Sequence, residues 1–165
     1  MVHYQMKKKL LSVLSILICA GSIAMAKVPL NEAVLGGIYP GIPLQDMIQI
    51  YGDPIKEEVS YANGIQVYAQ KMHYGDSVYL YAQSNSPSGP FKIVMINITA
   101  NNGFSTPAGI HVGSTREDVI RTYGQPDIRF APTHPELWYK PGNGLDMVFH
   151  IKNGVVTRIG LGWNS

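Results

Sequence analysis

The chain has 165 residues, 45% of them hydrophobic and 15% charged, long enough to bury a core and too apolar for a disordered segment. Its 17 glycines and 11 prolines predict many turns. The net charge of +2 owes three cations to Lys7, Lys8 and Lys9; without residues 1–26, 10 basic residues (13 less those three) face 11 acidic ones, a net of −1, which argues against nucleic acid as a partner.

Met6-Lys7-Lys8-Lys9, the apolar run 10–18 and Ala24-Met25-Ala26 have the order of a signal peptide: positive n-region, apolar h-region, small-residue cleavage site. Residues 1–26 are read as that signal, with the mature chain starting at Lys27 in the periplasm or secreted. Two alternatives stay open. One is an uncleaved anchor, although the run is shorter than the ~20 residues of a membrane span. The other is a lipoprotein attached through Cys19, although Ile18 stands where a small residue is preferred. Membrane association is expected only through such an uncleaved or lipidated N-terminus. Cleavage after Ala26 removes Cys19, the single cysteine, so the mature domain is expected to have neither disulfide nor thiol chemistry.

The remainder repeats itself. Gly37-Ile38-Tyr39-Pro40-Gly41 recurs as Gly109-Ile110-His111-Val112-Gly113, and the same offset pairs Asp46 with Asp118, Ile48 with Ile120, Tyr51-Gly52 with Tyr123-Gly124 and Pro54 with Pro126. Each copy predicts a short amphipathic helix. Leu44, Met47, Ile48 and Tyr51 form one apolar stripe, and Val119, Ile120 and Tyr123 repeat most of it. Pro43 suits the first helical turn of one copy, and Ser114 with Glu117 reads as a capping box in the other. Gly52 and Gly124, each followed by proline two residues on, suit helix ends with a left-handed glycine.

Period-two runs follow each helix. The first copy predicts strands over 65–74, 77–83 and 92–100, the first two joined at Gly75-Asp76. The second predicts strands over 137–139, 145–151 and 155–161, with turns at Gly142-Asn143-Gly144 and Asn153-Gly154. The expected fold is therefore α+β: two tandem repeats, over 27–107 and 108–165, each a short helix followed by an antiparallel three-stranded meander, with the helices packed on one sheet face. Strand 92–100 is expected at an edge, where its apolar run is a site for dimerisation.

The succession Gly-x-x-x-Gly, helix, Tyr-Gly-x-Pro and meander, closing on Asn153-Gly154-Val155-Val156, resembles the SmpA/OmlA (BamE-like) domain family. The tandem arrangement resembles the β-lactamase inhibitory protein family, and the resemblance implies a protein-binding function. The segment Tyr74-Gly75-Asp76-Ser77-Val78-Tyr79-Leu80-Tyr81 is similar to a hairpin of that family. The likeness implies that Asp76 is an anion presented to an enzyme, with Tyr74, Tyr79 and Tyr81 adding contact area. An alternative for Asp76 is a turn residue chosen for local hydrogen bonding. From the residues alone, Val78, Leu80 and Ala82 alternate with Tyr79 and Tyr81, which predicts two outward tyrosines available to a partner or to cross-strand neighbours.

Catalytic patterns are sparse. His73, His111, His134 and His150 share no metal-ligand spacing, and Asp146 and His150, two apart on one strand face, span roughly 13 Å. Each histidine is read as a surface or strand-end residue. There is no nucleophile elbow and no phosphate loop with its lysine. No catalytic residue, metal or cofactor is expected. The main reading is a non-enzymatic, extracytoplasmic protein-binding module in cell-envelope assembly or maintenance. The alternatives are an inhibitor of an exported enzyme such as a β-lactamase, and an enzyme whose site forms only in three dimensions.

Overall fold

The computed structural model describes residues 28–127 and 134–163; the expected signal peptide lies outside them. A 3-10 turn at Leu30–Glu32 precedes helix α1, Leu44–Tyr51. Pro43 occupies the position just before α1, where a residue without an N–H breaks no helical hydrogen bond. Helix α2, Arg116–Tyr123, is capped by Thr115, whose side chain accepts from the Asp118 N–H while Asp118 accepts from the Thr115 N–H. The capping box thus falls one residue later than Ser114 and Glu117. The Ser114 hydroxyl instead accepts the His111 N–H at 3.1 Å, which commits it to the preceding turn. Both helices end at a glycine with φ near +75°: Gly52 at φ 78°, ψ −170° and Gly124 at φ 75°, ψ −164°. That conformation is extended rather than left-handed helical, and glycine alone adopts it without strain.

The described residues form seven strands, four before α2 and three after it: β1 Lys56–Ala62, β2 Val67–Tyr74, β3 Val78–Ser84, β4 Lys92–Ile98, β5 Glu136–Gly142, β6 Leu145–Lys152 and β7 Val155–Trp163. They form one antiparallel sheet in the order β1-β2-β3-β4-β7-β6-β5. This overturns the expected pair of helix-plus-three-strand repeats. Four strands follow α1 and three follow α2, and pairing of β4 with β7 merges them into a single sheet. It also overturns the expectation of an edge at 92–100, because β4 is interior, between β3 and β7. Among the described residues the edges are β1, which no hydrophobic period announces, and β5.

Register explains how one face becomes core. Tyr74, Val78, Ile98, Ile159, Phe149 and Leu137 are successive cross-strand partners, as are Met72, Leu80, Ile96, Leu161, Met147 and Tyr139. These two apolar rows run across six strands and belong to one buried cluster with Leu44 and Met47 of α1 and Val119 and Tyr123 of α2. On α2 the contact is aromatic, with Tyr123 5.8 Å from Phe149 and 5.7 Å from Tyr139 between ring centroids. Each helix is further fixed by a tyrosine hydroxyl from the sheet: Tyr74 donates to the Gly52 carbonyl at 3.1 Å, and Tyr139 to the Gly124 carbonyl at 2.9 Å. The intervening residues, by the two-residue period of a strand, project to the opposite face.

Candidate functional site

That opposite face carries two further rows. His73, Tyr79, Asn97, Gly160, Val148 and Trp138 are successive partners across β2, β3, β4, β7, β6 and β5, and Lys71, Tyr81, Met95, Gly162 and Asp146 form the row beside them. Lys71, Met95 and Arg158 on this face are exposed. In the middle of both rows stands a glycine, so β7 presents bare backbone where its neighbours present side chains. The result is a groove of about 270 Å³, walled by Met95 and Asn97 on one side and by Trp138, Asp146 and Val148 on the other.

At Gly162 it is closeness to β4, rather than backbone conformation, that requires glycine. A Cβ on Gly162 would lie 2.8 Å from the Val94 carbonyl oxygen and 3.2 Å from the Met95 Cα. A Cβ on Gly160 would meet only the Asn97 side-chain oxygen, at 3.3 Å.

One end of the groove is polar. Glu136 and His150 are cross-strand partners, and the imidazole Nδ1 lies 2.9 Å from Glu136 Oε1. The other carboxylate oxygen accepts the Trp138 indole N–H at 2.8 Å. Arg158, the partner of His150 on β7, contacts the imidazole Nε2 with its guanidinium. Burial, and then the Arg158 charge, lower the His150 pKa below its ordinary 6.5, against the opposing pull of Glu136. A neutral imidazole fits this geometry, donating from Nδ1 to the carboxylate and accepting at Nε2 from the arginine. Further along, Lys140 Nζ pairs with Asp146 Oδ1 at 3.0 Å.

The four residues singled out by sequence divide between the faces. Tyr79 and Tyr81 project onto the open face, Tyr79 edge-on to His73 at 4.8 Å and Tyr81 beneath the Lys71 ammonium at 5.9 Å. Asp76 is exposed in the β2–β3 turn, and its backbone carbonyl accepts the Tyr79 hydroxyl at 3.1 Å. Tyr74 does not join them. Its partner in register is Val78, so it lies on the core face, where burial, aided by Asp53 and Glu57, pushes its pKa up to about 12.

Glu136, Trp138, Met95, Asn97, Arg158, Gly160 and Gly162 belong to no motif in the sequence, which reads His150 as a surface or strand-end residue. A signal existed for part of this set: Glu136 and Trp138 alternate with buried Leu137 and Tyr139, and paired glycines inside a strand mark a close approach. Among the described residues no group of three or more His, Cys, Asp or Glu is placed to hold a metal ion. No helix among them is long and apolar enough to cross a membrane.

No family model matches the chain, and no curated protein matches it. Three solved structures illustrate what it is similar to. The uncharacterized protein yfeY from Escherichia coli is 18% identical with a TM-score of 0.47, over 82% of this chain and 99% of that one. An extracellular protein containing an SCP domain from Bacillus anthracis is 12% identical with a TM-score of 0.43, over 76% of this chain and 44% of that one. A candidate beta-lactamase inhibitor protein from Streptococcus mutans is 18% identical with a TM-score of 0.31, over 73% of this chain and 82% of that one. With every TM-score here below 0.5, the site rests on this chain's own residues.

Proposed function

We propose that the chain is an exported protein-binding module that receives a protein partner on its open sheet face. The observation that carries this reading is the open face itself, where Met95 and Trp138 line a groove floored by Gly160 and Gly162, and Tyr79 and Tyr81 extend the same face on β3, the strand beyond β4. An apolar and aromatic surface left to solvent, interrupted by a few fixed polar groups, has the make-up of a protein contact site. Rigid support behind it, from two apolar rows and two helices, keeps the entropic cost of binding low. The leader-like order of residues 1–26 supports an extracytoplasmic location. The partner is a protein of the cell envelope or an exported enzyme; exposed Asp76, at the hairpin beside Tyr79, supports inhibition of such an enzyme as one form of this role.

A crosslinking pull-down from the cell envelope tests the reading. The wild-type chain is expected to capture a specific protein, and Tyr79→Ala/Tyr81→Ala/Trp138→Ala to lose it while melting as a folded domain. Equal capture by both would move the site off this face.

One observation favours an enzyme instead: the groove joins His150 to a carboxylate, Glu136. Both imidazole nitrogens are engaged within the site, by Glu136 and by Arg158, which supports a structural role for the pair. A turnover of any substrate that is lost in His150→Gln with the fold intact would favour the enzyme.

A further inference from the structure

Among the described residues, the charged side chains that line the open-face groove are Glu136, Asp146 and Arg158. Both acids are already engaged. Glu136 holds the His150 imidazole and the Trp138 indole N–H, and Asp146 holds Lys140. Arg158, by contrast, pairs with no carboxylate among the described residues. Its contacts with the His150 ring both use Nη2, so the donors on Nη1 and Nε have no protein acceptor there. Glu136 lies two strand spacings from Arg158, about 9–10 Å, with the imidazole between them. A further unused polar group stands on the other side. Asn97 is the β4 partner of Gly160, two residues along β7 from Arg158, which makes Asn97 and Arg158 diagonal neighbours on one face. The end of the Asn97 side chain lies over Gly160, 3.3 Å from where a Cβ would stand, and its amide makes no hydrogen bond among the described residues.

We infer that this end of the groove receives an aspartate or glutamate side chain of the protein partner, its carboxylate seated over Gly160 between Arg158 and Asn97, with an apolar group of the same partner segment beside it on the Gly162 floor. The inference rests on the open-face reading and names the chemistry of the partner. Charge selects the ligand class. A guanidinium with open donors, next to an amide N–H, matches a carboxylate in geometry and sign. A cationic ligand would find both acids engaged and Arg158 opposing it. Register selects the direction along the groove. Asp146 is the cross-strand partner of Gly162 and disfavours an anion there, whereas the partner of Gly160 is Val148. Met95, Val148 and Trp138 supply apolar walls, and the bare backbone between them lets a flat group settle below the level of the neighbouring side chains.

Phenylpropionate, which joins a ring to a carboxylate through a short chain, tests the site against its neutral isostere phenylpropionamide. Each is titrated into the isotope-labelled chain and followed by NMR. The acid is expected to shift the Asn97 side-chain amide and the Trp138 indole N–H, and to bind about tenfold tighter than the amide. Arg158 is exposed, so Arg158→Gln is expected to melt like the wild type and to remove that preference. The groups facing His150 are Glu136 on β5 and Arg158 on β7; bound acid offsets the Arg158 charge and is expected to raise the His150 pKa. Equal binding of acid and amide, or a preference that survives Arg158→Gln, overturns the inference. In the envelope pull-down Arg158→Gln is expected to lose the partner that the wild type captures. Full capture by Arg158→Gln, with loss in Tyr79→Ala/Tyr81→Ala/Trp138→Ala, overturns the carboxylate site and leaves the open-face reading standing. Full capture by both variants overturns that reading and, with it, the partner named here.

Discussion

His150 and Glu136 face each other across β6 and β5 with 2.9 Å between Nδ1 and Oε1, and burial, then the Arg158 charge, lower the imidazole pKa below its ordinary value. A histidine whose folded pKa lies below its unfolded 6.5 binds fewer protons in the folded state just beneath that value. Stability therefore rises with pH through this window and falls on acidification from 6.5 toward the lower folded pKa. Thermal melts of the wild type are expected to show that loss, and His150→Gln is expected to show a shallower one. An unchanged pH slope in the variant would mean that another group carries it.

Gly162 and Gly160 are predicted to differ although they lie two residues apart in one strand. Gly162→Ala drives a methyl into the β4 backbone at Val94 and is expected to cost on the order of 1–3 kcal/mol in urea denaturation. Gly160→Ala meets the end of the Asn97 side chain, which can turn aside, and is expected to cost about 1 kcal/mol or less. Equal losses would show that the two strands do not approach as described.

Thr115 caps α2 in partnership with Asp118, whereas Glu117 is exposed. Thr115→Ala is expected to cost about 1 kcal/mol, and Glu117→Ala to stay within about 0.5 kcal/mol. The reverse order would restore the box to Ser114 and Glu117.

Removing the hydroxyl of Tyr139 leaves the Gly124 carbonyl without its donor. Tyr139→Phe is expected to cost about 1–2 kcal/mol. Tyr74→Phe, which acts on Gly52 in a more open setting, is expected to cost less. Denaturant midpoints of the two variants check the order.

Much of the local structure was legible in the residues. The apolar stripes marked both helices, Asn153-Gly154 marked the β6–β7 turn, where both residues have positive φ, and the alternation of Val78, Leu80 and Ala82 placed Tyr79 and Tyr81 outward. Strand β1 was not legible, because Lys56–Ala62 lies at the sheet edge and is exposed at six of seven positions, so burial imposes no period on it. Its strand character comes from pairing with β2, a tertiary effect. The expected edge at β4 failed for a related reason: an apolar strand announces burial without naming its neighbours, and β7, which covers it, lies far along the chain. The face that Tyr74 takes was not legible either, because only its register with Val78 fixes it. The groove was out of reach for the same cause, since Glu136, His150 and Arg158 meet through the β5-β6-β7 register alone.

The central claim is that the open face, rather than the helix side, meets the partner. A photoreactive phenylalanine analogue at Met95, beside the groove, and another at exposed Ile50 on α1 test it directly. Irradiation in the cell envelope is expected to give a protein adduct from position 95 and none from position 50. An adduct from position 50 with none from 95 would contradict the account and place binding on the helix side.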